Sequence, residues 1–265
     1  MATTTTPPTH GAPGWPRYSR WILKGAAAAT DLLFPPRCVS CGAECESREG
    51  GPLFCPDCDA ALSISARTSC PRCALTCSEV DLAHGDCWNC RGRKLLFQEA
   101  RCIGSYDTAI RAAVLKCKHS FHEPLALALG QRLAESLRAK PLSKVPDLVA
   151  AVPIHWLRRL WRGTSTTETL ARSVARQLGI RPAIGLLVCR RPLRRQATLT
   201  PVERRRNVRG AFRTSRFWNI TGRSVLLIAD VMTTGATAHE AARALLAAGA
   251  ASVFVATVAR SSPNF

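Results

Sequence analysis

Four Cys-x-x-Cys pairs crowd into one short segment: Cys38/Cys41, Cys55/Cys58, Cys70/Cys73 and Cys87/Cys90. A shift of 32 residues carries Cys38, Cys41, Cys45, Cys55 and Cys58 onto Cys70, Cys73, Cys77, Cys87 and Cys90. The segment is therefore a two-copy internal repeat. A unit of ~20 residues buries too little apolar surface to fold alone and needs a staple. Two turns that each offer two thiolates complete a tetrahedral four-thiolate site, so the spacing predicts two zinc ribbons holding two structural Zn2+. Spacing leaves open whether ligands cross between the two units. Four thiolates close each site and leave no position for chemistry. Cys45 and Cys77 each follow a ligand pair by four residues and read as buried apolar thiols.

A disulfide framework competes with zinc for such cysteines, and the compartment decides between them. The opening "MATTTTPPTHGAPG" lacks the basic start and apolar core of a secretion signal and reads, over residues 1–20, as a disordered tail. Residues 21–34 read as a short amphipathic helix; with 14 residues and both Lys24 and Asp31, the segment is too short and too charged to span a bilayer. The chain is thus expected in a reducing cytoplasm, without membrane insertion.

After Cys90 the pattern changes. The stretches 100–106, 147–152, 224–230 and 252–259 are apolar and short, as buried strands are, and 123–139, 166–179 and 238–249 carry helical periodicity. Pro124 suits the first turn of its helix and Gly179 the end of the next. Strands alternating with helices predict an α/β body, a parallel sheet covered on both faces, over 96–265, preceded by a ribbon module over 35–95. Ligands in such sheets bind at the carboxyl ends of strands. There the stretch "LLIADVMTTGATAHEAARALLAAGA" passes from a strand through Asp230 into a Thr/Gly loop and a helix. Residues Thr233, Thr234, Gly235, Ala236 and Thr237 can turn backbone amides toward an anion, with Thr hydroxyls as further donors. The plainer reading is an ordinary Thr-capped helix.

Four stretches together bring a family into view: "LLIADVMTTGAT", "FPPRCVSCG" with its doubled cysteine motif, "AVPIHWLRRLWRG" and "RRQATLTPVERRRNVRGAF". The first resembles the PRPP-binding signature of type I phosphoribosyltransferases. All four together resemble the ComF/GntX family, from about Phe34 to Arg260. The resemblance implies a type I phosphoribosyltransferase-like sheet behind a double zinc ribbon, and an association with DNA uptake and competence. It implies a 5′-phosphate site at 233–237 and a ribose contact from Asp230, the catalytic candidate. It also implies a pyrophosphate loop at Pro153, Ile154, His155 and Arg158, and a mobile loop carrying Arg195, Arg204, Arg205, Arg206 and Arg209. PRPP would arrive with Mg2+. Three departures bear on turnover: Ala229 stands where the family has an acid; Arg162-Gly163-Thr164-Ser165-Thr166 replaces Arg-Gly-Phe-Asn-Gln; and Cys117 occupies a usual aromatic position.

The formal charge is +19, and residues 155–216 supply most of it, with 16 Arg, no Lys and only Glu168 and Glu203 as acids. Pyrophosphate and phosphoribose need only a few of these arginines. The surplus suits a polyanion, and single-stranded DNA is the expected partner beside the phosphoribosyl or nucleotide ligand. Trp156, Trp161 and Trp218 flank the belt and could stack bases, although core packing is the commoner fate of a tryptophan. Two functions follow: an accessory protein that handles nucleic acid with competence-machinery proteins, or an active transferase using PRPP and Mg2+ on an unidentified acceptor.

Overall fold

In the computed structural model the described residues are 35–45, 54–65, 67–83, 87–155, 165–194 and 199–262. The tail and short helix expected over 1–34 lie outside them, as do Trp156, Arg158, Trp161 and Arg195.

The cysteine repeat has a backbone repeat beneath it. Arg37 bridges Glu44 in the first copy, and their equivalents Ser69 and Thr76 bridge in the second. The Cys38 N–H donates to Ala43 O at 2.7 Å and the Cys70 N–H to Leu75 O at 2.8 Å. Each turn closes on a left-handed residue, Gly42 at φ 82° and its counterpart Ala74 at φ 58°. For alanine that conformation costs about 1–2 kcal/mol. The copies then diverge: helix α1 (Pro56–Ala61) follows Cys55, whereas helix α2 (Glu79–Ala83) precedes Cys87 and turns follow it. Pro56 opens α1, and Asp57 and Asp59 favour its positive end.

The body contains, in chain order, β1 (Ala100–Ser105), α3 (Thr108–Lys116), α4 (Glu123–Ala139), β2 (Leu148–Ala151), α5 (Thr166–Leu178), β3 (Arg181–Pro182) and β4 (Leu187–Cys189). Then come α6 (Pro201–Val208), β5 (Phe212–Thr214), β6 (Ser224–Met232), α7 (Ala236–Ala247) and β7 (Ser252–Arg260). Five strands form one sheet in the order β1-β7-β6-β2-β3, with every neighbouring pair parallel. β4 and β5 pair antiparallel beside it.

Side chains alternate across the central strand, so both faces are apolar. Leu226 and Ile228 meet Val114, Leu129, Leu170 and Val174 from α3, α4 and α5. Val225 and Leu227 meet Ala241 and Leu245 of α7, with Leu187 and Phe212 of the small hairpin. This is the parallel sheet with helices on both faces that the alternation predicts.

The two ribbons dock differently. Cys38, Phe54, Cys55 and Leu62 of the first join the core on the α3–α5 side. The second forms a cluster of its own around Cys70, Cys73, Leu75, Cys87 and Cys90.

Candidate functional site

The eight ligand thiols gather as two groups, Cys38/Cys41/Cys55/Cys58 and Cys70/Cys73/Cys87/Cys90, with the sulfurs of each group within 4.8 Å of one another. Ligands do not cross between the copies. Sulfur–sulfur separations are 3.6 Å for Cys41–Cys55, 3.5 Å for Cys73–Cys87 and 4.0 Å for Cys70–Cys90. A tetrahedron with ~2.3 Å zinc–sulfur arms has edges of roughly 3.8 Å, so the residues fit Zn2+. A disulfide at ~2.05 Å is far shorter, and all these cysteines are free. Cys45 and Cys77 lie outside both groups. They are half-buried and not the buried thiols expected, because each ends its turn at the surface; the Cys45 thiol donates to Ala43 O.

The second candidate site forms where β6 ends. Asp230 is 34% exposed, and its Oδ1 accepts the Val231 N–H at 2.8 Å. Oδ2 lies 4.0 Å from Lys118 Nζ. The buried Thr257 hydroxyl donates to Asp230 O at 2.9 Å and fixes the backbone there. Ala229, beside it, is buried.

Gly235 adopts φ 75°, and α7 starts immediately after it. The conformation suits glycine, and it aims the loop at the positive end of the helix. The Ala236 N–H is taken by Thr234 Oγ1 at 3.3 Å, so the buried Thr234 hydroxyl faces its own backbone. Among the described residues, the N–H groups of Thr233, Thr234 and Gly235 donate to no acceptor. Three consecutive amides without an acceptor at a helix start are the arrangement an anion-binding nest requires.

Of the residues expected in a pyrophosphate loop, Pro153 and Ile154 are half-buried and His155 is buried, all following β2 toward the same end of the sheet. The departing motif now has a role in the architecture. The Thr167 hydroxyl donates to Val152 O at 2.9 Å and the Thr166 hydroxyl to Cys117 O at 2.7 Å. These bonds stitch the β2 turn to the segment bearing Lys118. Burial, with Asp230 nearby, pushes the Cys117 thiol up to about 12, so it is protonated at neutral pH and is no nucleophile.

The expected mobile loop holds a regular helix in its second half. Thr200 and Glu203 form a capping box at the start of α6. Arg205, Arg206 and Arg209 are exposed, whereas Arg204 is half-buried and its Nε donates to Leu199 O at 3.0 Å. Elsewhere in the belt Arg172, Arg190, Arg194, Arg213 and Arg216 also face solvent. Trp218 is half-buried and covered by Arg181, 5.3 Å from its ring centroid. Its neighbour Phe217 is exposed, at 84%, with Arg216 stacked on it.

Sequence reasoning did not find Lys118, Arg93 or Arg260. Lys118 lies two residues past Lys116, which is itself bound to Ser40 O of the first ribbon. Arg260 offered a signal, a lone cation closing an apolar strand.

Comparison with known proteins agrees with this architecture. Residues 29–91 match the model of the double zinc ribbon domain. The DNA utilization protein YhgH of Escherichia coli O6:H1 is 30% identical over 206 residues, which cover 76% of this chain and 88% of that protein. Competence protein F of Haemophilus influenzae is 26% identical over 234 residues, 86% of this chain and 98% of that protein. Among solved structures, glutamine phosphoribosylpyrophosphate amidotransferase from B. subtilis aligns at 23% identity over 50% of this chain and 25% of its own, with a TM-score of 0.34.

Proposed function

Because this chain belongs to the ComF/GntX family, with the DNA utilization protein YhgH and Competence protein F among its relatives, we propose that it serves DNA uptake or utilisation in the cytoplasm. Its β6–α7 loop holds the 5′-phosphate of a phosphoribosyl or nucleotide ligand, and its arginine belt holds single-stranded DNA. The observation that carries the phosphate reading is the run of three free amides, Thr233 to Gly235, ahead of α7. Oriented amides cost nothing to reorganise when the anion arrives. Asp230 receives a ribose hydroxyl, with Lys118 beside it to take further phosphate oxygens.

For the belt, the support is exposure: guanidinium groups just after β4, on α6 and on β5 face solvent with few acids between them. Such a surface binds the DNA backbone through counterion release, and Phe217 offers one base a stacking face. Competence-machinery proteins are the expected partners.

A second reading, an active Mg2+-dependent phosphoribosyltransferase, is favoured by the retained Asp230, whose Oδ2 meets only Lys118 among the described residues. Ala229 weighs against it, since one acid of the ribose grip is gone.

Calorimetry with PRPP and Mg2+, beside a fluorescence titration with single-stranded DNA at several salt concentrations, tests both parts. Charge reversal of Arg205 and Arg206 should weaken DNA binding and flatten its salt dependence while leaving PRPP binding in place. Arg204 is left alone because its contact with Leu199 supports the helix. DNA affinity independent of salt and of these residues would reduce the belt to a solvated face. Release of pyrophosphate on adding a base would favour the transferase.

A further inference from the structure

We infer that Arg93 and Arg260 are positioning residues for the phosphate loop, and that the second zinc ribbon presets that loop through them. The inference rests on reading residues 233–237 as an anion cradle.

Arg260 closes β7 and is 3% exposed. Its Nε donates to Cys73 O at 2.9 Å, and its Nη1 to Met232 O at 2.9 Å, with Thr233 O and Ser261 O also on Nη1. Arg93 follows the last zinc ligand by three residues. Its Nη1 donates to Asn89 Oδ1 at 2.8 Å and its Nη2 to Thr234 O at 2.5 Å. Asn89 in turn donates from Nδ2 to Cys73 Sγ at 3.5 Å. Cys73 is thus tied to both arginines, through its carbonyl to one and through its sulfur and Asn89 to the other.

The three anchored carbonyls are consecutive: Met232, Thr233 and Thr234. In a trans peptide, the carbonyl of one residue and the N–H of the next point in opposite directions across one plane. Holding those oxygens against the ribbon therefore aims the N–H groups of Thr233, Thr234 and Gly235 away from it. These are the same three amides that find no acceptor among the described residues. The guanidiniums set the nest by gripping its back.

Charge supports the same arrangement. Among the described residues no carboxylate lies within ion-pair distance of Arg93 or Arg260. A four-thiolate site holding Zn2+ carries a net charge of about −2, which two guanidiniums offset. Among the described residues the first ribbon has no such tie. It docks on α3 and α4 through Lys116 to Ser40 O, Arg132 with Asp59, and Arg132 over the Phe54 ring.

The test uses the full zinc-loaded chain, with ribose 5-phosphate as the probe. Arg93→Met should keep both zinc ions and the overall melting profile. It should weaken ribose 5-phosphate binding at least tenfold and speed amide hydrogen exchange at least tenfold within 232–237 only. Arg93→Lys should recover part of each loss, and Lys116→Met should cause neither. Should Arg93→Met bind less zinc, Asn89→Ala removes the side-chain tie from Arg93 to Cys73 while keeping the guanidinium, and a smaller local rise in exchange over the same residues is expected. Unchanged exchange and affinity in the zinc-retaining variant would overturn the inference while leaving the phosphate site standing. If the unmodified chain does not bind ribose 5-phosphate, the phosphate reading fails, and exchange over 232–237 alone decides whether the two arginines hold the loop.

Discussion

At position 229 a methyl group stands where the family has an acid, and this one residue sets the expected strength of the ribose grip. A charge-assisted hydrogen bond to a sugar hydroxyl contributes about 1.5–3 kcal/mol, so its loss lowers affinity roughly 10- to 150-fold. Ala229→Asp should therefore tighten PRPP binding in the presence of Mg2+, and Asp230→Ala should weaken it; isotherms of the three proteins check this. Position 229 is buried, so the new carboxylate should also lower the melting temperature when no ligand is present. Glu240 carries a second residue-scale prediction. It is 5% exposed and accepts the Gly210 N–H at 2.6 Å and Arg243 Nη2 at 2.7 Å, tying the end of α6 to α7. Burial pushes this carboxyl up, but Arg243 and the Gly210 N–H outweigh it and hold it below its ordinary value of 4.5. A depressed carboxyl stabilises the fold fully above its ordinary value and loses that contribution as pH falls through the folded-state value. Glu240→Gln should then melt below wild type at pH 7, with the gap closing under acid. A gap that stays constant down to pH 3 would contradict this.

Among the elements, α4 shows how well pattern can speak: its bounds, Glu123 and Ala139, are those the periodicity and Pro124 predict. Its glycine is equally telling in the structure. A Cβ added at Gly130 would lie 2.5 Å from Ser173 Cβ on α5, so the two helices touch there backbone to side chain. Gly130→Ala should cost about 1–3 kcal/mol by overpacking, against the gain in helix propensity that an exposed site would show; denaturant unfolding measures it. Strand β6 was legible as a buried run, but it continues past Asp230 to Met232 and α7 begins two residues early, at Ala236. Asp230 interrupts the apolar run, so Val231 and Met232 beyond it read as loop, although pairing with β7 carries the strand through them. Helix α6 was not legible, since "PVERRRNV" has almost no apolar stripe. Its signal was the Thr200-x-x-Glu203 capping box, and the length implied by a mobile loop masked it. Three-residue strands such as β4 and β5 fall below what alternation can reveal.

For the whole molecule, the repeat made the eight ligand thiols readable, while spacing left open whether ligands cross between the units; the structure keeps each set of four within one copy. Which ribbon touches which part of the body was not readable. That depends on single long-range bonds, such as Arg93 to Thr234 across 141 residues of chain, and these leave no periodic trace. The belt was visible as charge, but of the two described aromatics at its end Phe217 is exposed and Trp218 is half-buried under Arg181. In the proposed reading, a zinc ribbon grips the back of an anion loop, with an arginine-rich face beside it. If the three free amides ahead of α7 bind phosphate, backbone amide NMR of the zinc-loaded chain during a ribose 5-phosphate titration should show it. Thr233, Thr234 and Gly235 should shift together, saturably, and more than any belt arginine. Shifts confined to the belt, with those three amides unmoved at saturation, would contradict it.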